Sequence, residues 1–245
     1  MNDFTVIIPA RYAASRLPGK LLRDLAKKPV VLHAIERGLE SGAHRVVVAT
    51  DDARIAQAVE GSGAQTVMTR MDHQSGTDRI AEAVERLGLA EGEIVVNVQG
   101  DEPDMPAALI RQMADALAER AETSICTACT PISEAESVND PNVVKVVRDM
   151  NDFALYFSRA PIAYDRDGLG RFAYRRHLGI YAYRARYLTE FSAAPVCSLE
   201  ETEKLEQLRA LHRGDRIYCP DAIAAPGIGI DTEADLERAR RHWKS

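Results

Sequence analysis

The sequence predicts an α/β fold: a doubly wound, mostly parallel sheet with a smaller lobe. Three observations lead there. Four short runs in the first half are nearly continuous in apolar, often β-branched residues, the pattern of strands covered on both faces. Amphipathic helical patterns alternate with them, and βαβα alternation implies parallel strands joined by crossover helices. The chain has 245 residues, 46% hydrophobic and 28% charged, enough for one domain with a large core.

Taken in order, a strand at Thr5 to Ile8, preceded by Phe4, is expected to end at Pro9. A helix follows at Val30 to Glu40, then a strand at Arg45 to Ala49 and a helix at Asp52 to Glu60. Gln65 to Met68 is the third strand and Thr77 to Leu87 the third helix. Glu93 to Val98 is the fourth strand, and a helix after Pro106 runs to Glu119. The second half changes character. Ile125 to Thr130 and Val143 to Val147 read as strands, separated by a connection bearing Pro131 and Asp140-Pro141. Residues 153–187 concentrate aromatics (Phe153, Tyr156, Phe157, Tyr164, Phe172, Tyr174, Tyr181, Tyr183 and Tyr187). That density suits either an acceptor pocket or a subunit contact. Asp165 to Gly170 reads as a mobile loop. One helix from Leu199 to His212 is expected to open with a capping box, Ser198-x-x-Glu201, and a last helix spans Glu233 to His242. There are no internal repeats, no low-complexity segment and no linker long enough to mark a domain boundary.

A net charge of −6 argues against a general nucleic-acid binder, which presents a basic surface. Met1-Asn2-Asp3 lacks a basic n-region, and no run of about 18 apolar residues exists, so a cytoplasmic protein without a membrane span is expected. Cys126 and Cys129 form a lone C-x-x-C with no second pair at zinc-ligand spacing. On a strand, residues three apart face opposite sides, so these cysteines are expected to be small buried residues.

Five segments can carry chemistry. The loop after the first strand holds Arg11, Arg16 and Lys20, with no acidic residue before Asp24. Three cations in one short loop at a strand's carboxyl end suit a polyphosphate, with Gly19 allowing close backbone approach. A solvated loop making surface ion pairs has the same spacing. The loop is neither a Walker A sequence nor G-x-G-x-x-G, which disfavours a P-loop NTPase or a dehydrogenase. Gln99-Gly100-Asp101-Glu102-Pro103 puts a carboxylate at the end of the fourth strand, placed either for Mg²⁺ or simply for a turn. In Asp231-Thr232-Glu233-Ala234-Asp235, Asp231 is either the N-cap or is freed for a metal by a Thr232–Asp235 cap. His73-Gln74-Ser75-Gly76-Thr77-Asp78-Arg79 opens a helix whose N-terminus favours anions, or is an ordinary cap at Ser75 or Thr77. In the second half, Arg159 can clamp a carboxylate and His177 can donate to it or to a hydroxyl, with Glu206-Gln207 on the 199–212 helix. Each of these, taken singly, also suits a structural role.

Together the segments resemble a family. Ile8-Pro9-Ala10-Arg11, Ser15-Arg16-Leu17-Pro18-Gly19-Lys20, and the spacing to residues 73–79 and 99–103, resemble the sugar-acid cytidylyltransferases. Tyr156-Phe157-Ser158-Arg159-Ala160-Pro161, His177-Leu178-Gly179-Ile180-Tyr181-Ala182-Tyr183-Arg184 and Glu203-Lys204-Leu205-Glu206-Gln207-Leu208-Arg209 are similar to the 3-deoxy-manno-octulosonate (Kdo) cytidylyltransferases. CMP-sialate synthetases share the N-terminal loop but not this second-half set. The family has more of a proline-containing segment where this chain runs from Tyr164 to Phe172.

The resemblance implies a single nucleotidyltransferase domain over residues 1–245 of the nucleotide-diphospho-sugar transferase, Rossmann-like type. Residues 1–120 would be mainly the CTP part, and 121–245 mainly the sugar-acid and dimerisation part. It implies transfer from CTP to Kdo, giving CMP-Kdo and pyrophosphate for lipopolysaccharide synthesis, with Mg²⁺ and a homodimer. Arg11, Arg16 and Lys20 would bind the triphosphate. Gln74, Ser75 and Gln99 would lie by the cytidine, with Ala10, Ser15 and Arg79 in the same nucleotide set. Asp101 and Asp231 would hold Mg²⁺. Arg159, His177, Tyr181, Glu206 and Gln207 would line the sugar-acid site. The acceptor hydroxyl would attack the α-phosphorus, a transfer that relies on positioning and charge stabilisation. A cytidylyltransferase for 8-amino-Kdo or sialate, or a non-catalytic nucleotide-binding protein on this fold, remains open at this stage.

Overall fold

The structure is a computed structural model that describes residues 3–13, 16–133 and 135–243. Its first half contains β1 (Phe4–Ala10), β2 (Asp24–Leu25), β3 (Lys28–Pro29), α1 (Val30–Glu40), β4 (Arg45–Thr50), α2 (Ala53–Val59), β5 (Gln65–Met68), α3 (Gly76–Leu87), β6 (Ile94–Asn97) and α4 (Ala107–Ala118). The second half contains β7 (Ile125–Pro131), α5 (Ala135–Asn139), β8 (Lys145–Arg148), β9 (Ala154–Ser158), β10 (Arg175–Arg184), α6 (Ala185–Ser192), α7 (Ser198–Glu203), α8 (Gln207–His212), β11 (Ile217–Tyr218) and α9 (Glu233–His242).

Among the described residues one mixed sheet has the order β11-β7-β10-β6-β1-β4-β5, with β8 and β9 branching from β10. β1, β4, β5 and β6 pair in parallel, as expected of the four apolar runs, and β2 and β3 form a separate antiparallel pair. β10 runs antiparallel to both β6 and β7 and joins the two halves into one sheet. Every residue of β1 is buried. Phe4, Val6, Ile8 and Ala10 pack in a core with α1, α4 and α9, whereas Ile7 lies in a second core with α3, α6 and α8. Cys126 and Cys129 fall in the first and second cores respectively, and all four cysteines are free and buried.

Two expectations need correction. β1 continues through Pro9 to Ala10. The Ile7 carbonyl accepts from Val98 N, so the side of β1 shared by Ile7 and Pro9 faces β6, whose ladder has already ended at Asn97. The missing Pro9 donor therefore costs no ladder bond. The single helix expected from Leu199 to His212 is two helices, broken at Lys204 in the left-handed conformation (φ 52°). Its expected Ser198 cap does not form; Cys197 occupies the N-cap position without a side-chain bond. The break has a long-range cause. Arg159 donates from Nε to the Glu203 carbonyl at 2.6 Å and from Nη2 to that of Lys204 at 3.4 Å. The carbonyls that would carry the helix onward are thus committed to another element.

The last helix opens as its sequence suggests. Thr232 Oγ1 accepts from Asp235 N at 3.2 Å, and the Asp235 carboxylate accepts from Thr232 N at 2.9 Å, a complete capping box. Thr232→Ala is expected to lower stability by about 1 kcal/mol, read as an earlier urea midpoint with an unchanged m-value.

Candidate active site

The site opens where β1 and β6 end. After Ala10 the chain folds back, with Gly19 N donating to the Tyr12 carbonyl at 3.2 Å and Leu17 and Leu21 buried beneath. Gly19 has a φ of +67°, and a Cβ there would meet the Tyr12 ring at 3.1 Å. Glycine is needed for this fold-back, which delivers Lys20 to the floor of the site. Ser15 lies outside the described residues.

A cavity of about 190 Å³ is lined by Ala10, Arg11, Lys20, Gln74, Ser75, Arg79, Gln99 and Asp101, with Pro9, Gly76 and Gly100 between them. Every expected nucleotide-side residue that is described, except Arg16, therefore shares one concave surface. Gly100 is tightly placed: a Cβ would meet the Pro9 carbonyl at 3.3 Å. Ser75 is the α3 N-cap, with Oγ accepting from Asp78 N at 3.1 Å. The helix thus points its free amides and positive dipole end into the cavity. Gln74 donates to the Asp72 carbonyl at 2.9 Å, and Gln99 to Asn97 Oδ1 at 3.0 Å. Arg79 is buried, and its guanidinium is held by Asp51 at 2.8 Å, by Thr69 Oγ1 at 2.5 Å and by the Arg70 carbonyl at 3.4 Å. It builds the wall rather than offering a free cation.

The third wall is acidic. With Thr232 as cap, Asp231 is released toward the basic loop. A main-chain bond from Ile230 N to the Asp101 carbonyl, 2.9 Å, brings the two aspartates together. Lys20 Nζ sits between them, bonded to Asp101 and, at 3.1 Å, to Asp231; Arg16 pairs with Asp231 at 3.1 Å. Burial opposes the Lys20 charge, but Asp101 and then Asp231 raise its pKa above the ordinary value. Glu102 belongs to the same cluster, and sequence reasoning missed it. Burial first, and the neighbouring Asp101 charge second, push its carboxyl up to about 7. Only its place in the Asp101-Glu102 pair hinted at this, because its burial depends on Gly229, where a Cβ would meet Glu102 Oε1 at 2.7 Å.

Across the sheet the second-half residues gather around β9, β10 and the α7–α8 turn. His177 packs edge-on against Phe157, with centroids 4.9 Å apart, and against Tyr181 at 5.5 Å. Burial pushes the His177 pKa down to about 3, with Arg176 acting the same way, and raises that of Tyr181. Tyr181, Tyr183, Tyr187 and Phe191 continue as a stack into the core. Arg159 spends three of its five N–H groups on the carbonyls of Pro141, Glu203 and Lys204. Its own amide and the Ser158 hydroxyl are held by the Glu203 carboxylate, and buried Lys145 donates to its carbonyl at 2.6 Å. Glu206 Oε2 accepts from Thr77 Oγ1 at 2.6 Å, linking the acceptor side to the first turn of α3. Glu206 Oε1, 3.8 Å from Arg209 Nη2, and Gln207 Nε2 are buried without a hydrogen-bond partner among the described residues. Buried polar atoms are rarely left so without water or a ligand to complete them. Lys145 had no distinguishing signal in the sequence; Thr77 was visible there only as a possible cap, and Glu203 only within the 203–209 run.

Residues 5–217 match the cytidylyltransferase family. The chain is 52% identical over 245 residues to a 3-deoxy-manno-octulosonate cytidylyltransferase of Thioalkalivibrio sulfidiphilus, covering 98% of each. The chain belongs to the 3-deoxy-manno-octulosonate cytidylyltransferase family. A relative of the same name from Methylococcus capsulatus is 51% identical, over 98% of this chain and 96% of that one. Among solved structures, a CMP:2-keto-3-deoxy-manno-octonic acid synthetase complexed with CTP superposes with a TM-score of 0.92 at 41% identity, covering 99% of both chains. A nucleotidyl transferase from Methanothermobacter thermautotroptrophicus, at 16% identity and a TM-score of 0.65 over 100% of this chain and 99% of that one, shares the fold.

Proposed function

We propose that this enzyme transfers the cytidylyl group of CTP to Kdo, giving CMP-Kdo and pyrophosphate. The observation that carries the reading is the meeting of a basic loop, a helix N-terminus and a paired-aspartate wall around one cavity, in a chain 41% identical to a synthetase solved with CTP. In this reading Arg11, Arg16 and Lys20 bind the triphosphate and offset charge on the departing pyrophosphate. Gln74, Ser75 and Gln99 lie by the cytidine, with Ala10 and Arg79 shaping the wall. Arg159, His177, Tyr181, Glu206 and Gln207 hold the acceptor so that its hydroxyl lies in line with the α-phosphorus.

Mg²⁺ fits the acidic wall. The donor set is oxygen only, and among the described residues there is no cluster of three or more metal-ligating side chains. Mg²⁺ needs no such cage, because it takes one or two carboxylates and completes its shell with phosphate oxygens and water. The Lys20 ammonium already sits between Asp101 and Asp231 as a stand-in cation. Bound there, the ion supplies positive charge to the α-phosphate and acidifies the attacking hydroxyl. With Asp101 and Asp231 holding the ion, Lys20 would be free to pair with phosphate oxygens instead.

We further propose a homodimer in the cytoplasm, supplying lipopolysaccharide synthesis. Leu155, Tyr164, Leu169 and Phe172 leave apolar surface exposed around β9 and the loop after it, which supports a subunit contact there. No helix among the described residues is long and apolar enough to cross a membrane.

Pyrophosphate release from CTP, screened over Kdo, 8-amino-Kdo and sialate with and without Mg²⁺, tests the reading. Kdo with Mg²⁺ is expected to be the best pair, and no release with any acceptor overturns it. Arg159→Ala is expected to raise the acceptor KM far more than the CTP KM. Equal effects on both would move Arg159 out of the acceptor site.

A further inference from the structure

The hydrogen bonds around Thr127 decide which nitrogen of His177 carries the proton. β10 carries two extra residues opposite β7: Leu178 pairs with Ala128, whereas Tyr181 already pairs with Thr127. The Leu178 and Ile180 carbonyls of this bulge converge on Thr127 Oγ1 at 3.1 and 2.8 Å. His177 Nε2 approaches the same oxygen at 2.9 Å. A carbonyl only accepts, so the single hydroxyl proton of Thr127 must point to the bulge. Were it turned to His177 instead, both carbonyls would face a hydroxyl lone pair. The Thr127 lone pairs are then left for His177, and Nε2 must be the protonated nitrogen.

The remaining ring nitrogen, Nδ1, therefore carries a lone pair. It has no hydrogen-bond partner among the described residues, and the residue as a whole is half-buried rather than sealed in the core. Phe157 from β9 and Tyr181 from β10 fix the ring plane. Neutrality of the ring accords with its burial and with the neighbouring Arg176 charge, the electrostatic influence that bears on it.

We propose that His177 receives a hydrogen bond at Nδ1 from a hydroxyl of the acceptor, and that Thr127 is the positioning residue that fixes this tautomer. The contact with the acceptor rests on the site assignment made above; the tautomer does not. A carboxylate offers only lone pairs and is repelled by Nδ1, so His177 reads a hydroxyl, and the acid group of the acceptor is bound elsewhere. Thr127 was not among the residues that the sequence singled out. Its side chain lies on the strand that carries Cys126 and Cys129, where it reads as another small core residue.

The test is a long-range proton–nitrogen spectrum of the ¹⁵N-labelled enzyme at pH 7, with the His177 signals assigned by their loss in His177→Gln. A proton on Nε2 and a bare Nδ1 are expected. A proton on Nδ1, or an imidazolium, overturns the proposal, and the tautomer itself is read on the unmodified enzyme. Thr127→Ser should preserve the tautomer and the kinetics. Thr127→Val should lose the single tautomer and raise the acceptor KM about tenfold, the loss of roughly one hydrogen bond, with the CTP KM unchanged. If the tautomer is as stated but neither Thr127→Val nor His177→Gln changes the acceptor KM, the hydroxyl contact is overturned and with it the placing of His177 in the acceptor site.

Discussion

Asp101→Asn is expected to cut Mg²⁺-dependent pyrophosphate release by at least about 10²-fold, the scale on which single charge-stabilising groups act at phosphoryl and acyl centres. Asn keeps the shape of the side chain but not its charge, and one neutral oxygen is a poor Mg²⁺ ligand. The fold should be indifferent. The bond that joins the 101 and 230 loops uses the main-chain carbonyl of Asp101, not its carboxylate. Lys20 keeps Asp231 at 3.1 Å, and Glu102 loses a repelling neighbour. A Mg²⁺ titration of turnover, run beside a thermal melt, separates the two effects. Near-normal turnover at saturating Mg²⁺ would remove Asp101 from the metal site, and a collapsed melt would show that the charge serves the fold.

Asp51→Ala is expected to be the most damaging substitution for stability. Asp51 accepts from Arg79 Nη2 at 2.8 Å, and the two side chains are only 15% and 4% exposed. Removing one member leaves a buried guanidinium uncompensated, at a cost of about 3–5 kcal/mol. For a chain of this length that lowers Tm by about 10 °C. Arg79→Met should be milder, because the charge it leaves unpaired is the carboxylate of Asp51, the more exposed of the two side chains. Thermal unfolding of the two variants decides between these expectations. If Asp51→Ala proves the milder of the two, the pair does not carry the wall of the cavity.

How much of this was legible in the sequence follows from where each cause lies. The βαβ units of the first half are local. Val30–Glu40 and Gln65–Met68 form where their patterns place them, because the residues that anchor them, Val30, Val31, Ala34 and Ile35 in the helix and Val67 in the strand, pack against neighbouring elements. The release of Asp231 was legible only as an open choice between two adjacent caps, Asp231 and Thr232, which the structure decides for Thr232. β10 was not. Its start, Arg175-Arg176-His177, is polar, and its place between β6 and β7 is set by partners 44 or more residues upstream. The broken helix at Lys204 was hidden for a similar reason: its strong helical pattern is overruled by Arg159, 44 residues earlier. The burial of Glu102 likewise depends on Gly229, which only the folded chain brings near. In the site, the charges of the basic loop and of Asp101 were visible as residue types. The hydrogen bonds from Thr77 to Glu206 and from His177 to Thr127 were not, because serine, threonine and histidine at those positions serve a core equally well.

The insertion of β10 also bears on where the gene can be cut. The turn at Ala121 and Glu122 is exposed and lies between α4 and β7, the kind of place where a polypeptide tolerates a break. A chain divided there gives one fragment whose sheet ends at an unpaired β6 and another that carries β10, its missing neighbour. Neither fragment can satisfy its edge alone, and each is the other's template. Co-expressed, the fragments should reassemble and regain turnover, whereas either one by itself should aggregate. Such a pair is a split enzyme, able to report whether two proteins fused to its pieces meet.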